Sequence, residues 1–151
     1  KAGDSHGRVH IGTLMTSGDD PNTANKDEGF TSYYGDFHAY NRFGDLDLVD
    51  AAGQHNITDF NIGYEHWFGT QHYIMLAWHT FTETTTQVPG GPDKLGDEID
   101  LTYNFQYSKN LAFQFTAGQA YPGDAARDIN FVIVPDGDTV ERITAMATLS
   151  W

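Results

Sequence analysis

Cysteine is absent from the 151 residues, which excludes a disulfide framework, an iron–sulfur cluster and thiol catalysis and leaves the compartment open. Basic residues are scarce: eight Lys and Arg stand against 21 Asp and Glu, a formal charge of −13. Phosphate binding needs a cationic footprint, so no nucleic-acid partner is expected. An acidic surface favours cations or simple solubility. Long apolar runs are missing as well. The longest, "FVIV", falls far short of the roughly 18 residues of a membrane-spanning helix. A helical membrane protein is therefore excluded. The chain opens on Lys1 with no apolar signal segment behind it and reads as mature or truncated material.

What is present is β-structure. Sixteen glycines and 14% aromatic residues accompany only 39% hydrophobic residues, and the aromatics fall in short alternating runs between polar loops. Six segments read as strands, at 8–17, 56–68, 72–84, 98–107, 111–121 and 139–151. Most have about the 9–11 residues that a tilted strand needs to cross a bilayer. No capped helix pattern competes with them. Their connections alternate in length. "GTQ" and "SKN" are tight hairpin turns, whereas 18–55, 85–97 and 122–138 are long and rich in Gly, Pro, Asp and Asn. Short turns on one rim and long loops on the other describe an outer-membrane barrel.

Period-2 alternation gives the strands two faces. In "EIDLTYNFQY", Ile99, Leu101, Tyr103, Phe105 and Tyr107 alternate with Glu98, Asp100, Thr102, Asn104 and Gln106. Elsewhere Phe113 opposes Gln114, Tyr64 opposes Glu65, and Leu149 opposes its polar neighbours. One set is expected to meet lipid: Ile99, Leu101, Tyr103, Phe105, Phe113 and Leu149, with Trp151 as an interfacial anchor. The other is expected to line a watery lumen: Arg8, Glu65, Glu98, Asp100, Asn104, Gln114 and Arg142. The strand "HYIMLAWHTF" is apolar on both parities and resists orientation, unless its inner face touches a plug or a folded-in loop. Tyr64, Trp67, Tyr107, Tyr121 and Trp151, near strand ends, read as interfacial belts.

The stretches "TSGDDPNTANKDEGF", "FGDLDLVDAAGQHNITDFNIGYEHW" and "LGDEIDLTYNFQYSKNLAFQFTAGQAYPGD" together resemble the C-terminal part of the alginate-export (AlgE-like) outer-membrane porin family. The more specific pieces are the strand start at Gly96 to Leu101 and the "PGD" at Pro122 to Asp124. The final alternating strand resembles the signal read by barrel-assembly machinery. The resemblance implies a barrel of about eighteen strands, a Gram-negative outer-membrane location, and a channel for passage or export of hydrophilic solutes such as polysaccharide. Residues 1–151 would then be one incomplete domain, its last six strands. The remaining strands would come from the same or another chain, because an open sheet in lipid leaves backbone groups unpaired. The basic residues of the lumen set are Arg8 and Arg142 alone. On this segment, then, the residues predict a pore tolerant of cations or neutral solutes.

Other constellations are weaker. Asp19, Asp20, Asp27, Asp45 and Asp47 lie in loops rich in oxygen ligands, which suits either calcium or plain solvation, in a spacing that fits no EF-hand. Seven histidines show no metal-ligand spacing, and five serines include no G-x-S-x-G, so no enzyme is expected. Tyr33, Tyr34, Phe37 and Tyr40 suit loop packing or carbohydrate stacking, and "INFVIVPDGDTVERI" reads as an extramembrane hairpin. Two alternatives stand beside the porin: a soluble or surface-exposed β-barrel binding protein, and a structural wall piece of a multi-chain envelope complex.

Overall fold

A computed structural model describes residues 4–20, 22–23, 26, 29, 56–86, 90–128 and 139–151. Its strands are β1 (Ser5–Met15), β2 (Ile57–Phe68), β3 (His72–Glu83), β4 (Lys94–Ser108), β5 (Leu111–Pro122) and β6 (Val140–Leu149), with one short helix, α1 (Asp124–Asp128), between the last two. They form a single antiparallel sheet in the order β1-β2-β3-β4-β5-β6. Each strand pairs with its sequence neighbours, and β1 and β6 are open edges among the described residues.

The six expected strands are all present, with shifts at their ends. β4 begins at Lys94, so the connection taken as 85–97 is shorter than its composition suggests. The cause is a bulge: the register with β3 shifts between Phe81 and Thr82, and Gly96 lies there at φ 155°, a conformation open mainly to glycine. The five-residue α1 falls inside the stretch taken as loop at 122–138. Of the hairpin expected at 129–143, residues 129–138 lie outside the described residues, as do the loop aromatics Tyr33, Tyr34, Phe37 and Tyr40, while 140–143 belong to β6.

Register sorts every strand residue onto one of two faces. On the apolar face the cross-strand rows run Ser5–Phe68–His72–Phe105–Phe113–Ala147, then Gly7–His66–Ile74–Tyr103–Phe115–Ala145, then Val9–Tyr64–Leu76–Leu101–Ala117–Ile143. Aromatic residues crowd the rows nearest the short turns: His72 stacks on Phe105 at 4.8 Å, and Phe105 contacts Phe113 at 6.4 Å. Aliphatic residues fill the middle. From Ile99 to Tyr107 this covering extends over about 27 Å of strand, at roughly 3.4 Å per residue.

The real packed core is small and sits on the other face, at the long-loop rim. Ile57, Phe81, Leu95 and Ala120 close against Ala125 and Ala126 of α1, with Leu14 and Val140 alongside. The Gly123 amide donates to the Leu95 carbonyl at 2.8 Å and folds α1 back over the sheet. This accounts for the double apolar character of β3: its even residues share the apolar face, while Phe81 and Ala77 are buried on the polar one. At the opposite rim, Ser150 N–H donates to Asn110 O at 2.9 Å, tying the segment just before Trp151 to the β4–β5 turn.

Candidate functional site

The polar face carries the chemistry. One row runs Arg8–Glu65–Met75–Thr102–Thr116–Thr144, the next His10–Gly63–Ala77–Asp100–Gly118–Arg142, and the third Gly12–Asn61–His79–Glu98–Ala120–Val140. Arg8, Glu65, Glu98, Asp100, Asn104, Gln114 and Arg142 therefore share one face of the sheet. Ile99, Leu101, Tyr103, Phe105, Phe113 and Leu149 share the other. Trp151 follows the end of β6 and is fully exposed.

Two bonded groups organise the centre of the polar face. Glu65 is buried and accepts Arg8 Nε at 3.0 Å and Nη2 at 2.7 Å on one oxygen, and the Tyr73 hydroxyl at 3.1 Å on the other. His10 Nδ1 stands 3.4 Å away. Its ring lies over Gly63, where an added Cβ would come within 2.2 Å of the imidazole. The second group is Asp59, wholly buried, held by Asn61 Nδ2 at 2.8 Å and by His79 Nδ1 at 3.1 and 3.2 Å. Buried carboxylates persist only where such bonds replace water. Between the groups lies a cavity of about 670 Å³ bordered by Arg8, His10, Asn61, Glu65, His79 and Asp100.

Charge on this face is lopsided. Asp59, Glu65, Glu83, Glu98 and Asp100 are all buried there. Arg8, one of the two expected basic residues, spends its guanidinium on Glu65 and lies 5.7 Å over the Trp67 ring. The arrangement leaves the face acidic.

Trp67 departs from expectation. It shares parity with Glu65 and pairs with Tyr73, which places it on the polar face rather than in an interfacial belt. His79, His10 and Tyr73 were also missed as site residues. The parity of Trp67 with Glu65 was legible, but the double apolar pattern of β3 hid Tyr73 and His79.

In the acidic loop, Asp20 accepts the backbone N–H and the side-chain amide of Asn22, each at 2.9 Å. These bonds, the backbone one foremost, hold its carboxyl below the ordinary aspartate value. Asp27, Asp45 and Asp47 lie outside the described residues, and among those described no three His, Asp or Glu converge in a geometry suited to a metal ion. Comparison with family models, with curated proteins and with solved structures returns no match.

Proposed function

We propose that this chain is wall segment of a transmembrane antiparallel β-barrel in a Gram-negative outer membrane, a porin of the kind its resemblance to the alginate-export family implies. The observation that carries the reading is an inversion of burial. Val9, Ile11, Ile143 and Leu149 are 63%, 68%, 84% and 64% exposed, while Asp59, Glu98 and Asp100 on the opposite face are at most 2% exposed. A soluble barrel turns its apolar face inward. A membrane barrel turns it out to lipid, with aromatic residues near the rim and a polar interior. The open edges at β1 and β6 require further strands, from the same polypeptide or from other chains, before such a wall closes.

The pore conducts hydrophilic solutes without catalysis. Its polar face, acidic with Arg8 neutralised by Glu65, favours cations and neutral solutes over a free polyanion. The test is a pair of substitutions on β4. Leu101→Arg is expected to cost about 2–4 kcal/mol near the bilayer midplane and to impair insertion into liposomes. Asn104→Arg should insert normally and shift the reversal potential toward anions. Equal insertion defects in the two variants would refute the assignment of faces.

A further inference from the structure

One row of the polar face has a different character from the acidic rows above it. Next to the short-turn rim the register aligns His6–Trp67–Tyr73–Asn104–Gln114–Met146 across all six strands. Neighbours in such a row stand about 4.8 Å apart, so two aromatic rings are followed directly by two amides. A cavity of about 360 Å³ lies over this row, and among the described residues no carboxylate, ammonium or guanidinium lines it. That volume is at the small end of ligand pockets.

The two halves are prepared in different ways. Trp67 and Tyr73 form a corner, with centroids 5.0 Å apart and planes at 53°. The corner is braced: His6 stacks on the indole at 4.8 Å and 8°, and the Tyr73 hydroxyl is anchored on Glu65 at 3.1 Å. The amides are not committed. Asn104 and Gln114 are half-buried, and neither side chain hydrogen-bonds another described residue. Each offers two N–H donors and a carbonyl acceptor to an incoming group. Solvent-accessible amides with no protein partner can exchange water for the hydroxyls of a ligand without breaking a bond within the chain.

We infer that this row is a binding site for a neutral saccharide unit. A pyranose ring presents a C–H face that packs on an aromatic plane and a rim of hydroxyls that both donate and accept. The Trp67–Tyr73 corner meets the first, and Asn104 and Gln114 meet the second. A uronate gains little here, because among the described residues no cation lines the cavity, and the Arg8 guanidinium that lies over Trp67 is already paired with Glu65. The inference rests on the pore reading for how the solute arrives, and it deepens that reading by naming a substrate class.

The test uses the intact chain in micelles of an amine-oxide detergent, whose headgroup is not a sugar. The probes are a neutral β-linked glucose hexamer and a uronate hexamer, titrated by calorimetry. The neutral hexamer should bind saturably and more tightly than the uronate. Trp67→Ala should weaken it at least tenfold, Trp67→Phe by less, and Gln114→Ala severalfold, with strand content unchanged by circular dichroism. The inference is overturned by absence of saturable binding, by tighter binding of the uronate, or by equal affinity in Trp67→Ala. The pore reading fails separately: a chain soluble without detergent that still binds the hexamer keeps the site and loses the membrane. A conducting channel that the neutral hexamer neither binds nor blocks keeps the pore and loses the site.

Discussion

Asn56 occupies a left-handed backbone conformation, φ 62°, where asparagine is among the few side-chain-bearing residues tolerated. Its amide donates to Thr85 O at 2.8 Å and its carbonyl accepts Thr85 N–H at 2.7 Å, closing the long-loop end of β2 against the end of β3. The side chain is buried, so truncation removes both of its bonds to the Thr85 backbone and puts alanine where φ is positive. Asn56→Ala should therefore lower stability by about 1–3 kcal/mol, read as an earlier midpoint in denaturant unfolding from micelles. At Asp20 the sign of the pH effect follows from its lowered carboxyl value. The turn it makes with Asn22 is present above the unfolded-state pKa and is lost as pH falls through the lowered folded one. Asn22→Ala removes the side-chain bond and keeps the larger backbone one, so the Asp20 titration midpoint should rise modestly in carbon-detected NMR. An unchanged midpoint would mean the amide contributes nothing.

At the scale of elements, alternation was the legible signal, and it fails where a strand is covered on both sides. β4 and β5 could be oriented from sequence because Ile99, Leu101 and Phe113 contrast with Asp100, Asn104 and Gln114. β3 could not, because Phe81 and Ala77 are apolar for a tertiary reason: Phe81 packs with Ala125 and Ala126 of α1, a segment remote in sequence. A helix of five residues has too few turns to display a periodic stripe, so the segment that closes over Phe81 was itself invisible. Trp67 shows the opposite error. Its parity with Glu65 was readable, but its position near a strand end argued for a lipid interface, and the register with Tyr73 overrides that argument. The account predicts that α1 is held by packing rather than by its own propensity. Ala126→Glu would force a carboxylate into a wholly buried site and should detach the helix. Limited proteolysis should then cut near Asp124 while the β4–β5 hairpin stays protected. Protection equal to that of the unsubstituted chain would show that α1 contributes no cover.

For the whole molecule, the proposed wall makes one demand of the open sheet and its two contrasting faces: lipid on one side, water on the other, and more strands to close it. The most direct measurement exploits the absence of cysteine. Single cysteines introduced along β5 at Phe113, Gln114, Phe115, Thr116 and Ala117 give background-free probes on a strand whose two faces are both accessible enough to report. With the protein assembled in liposomes, each is treated with a charged aqueous thiol reagent and, in parallel, carries a fluorophore exposed to a lipid-chain quencher. The account predicts strict alternation: Gln114→Cys and Thr116→Cys react with the aqueous reagent, while labels at 113, 115 and 117 are quenched from the lipid. Uniform aqueous reactivity with no lipid quenching, or alternation of the opposite phase, would contradict it.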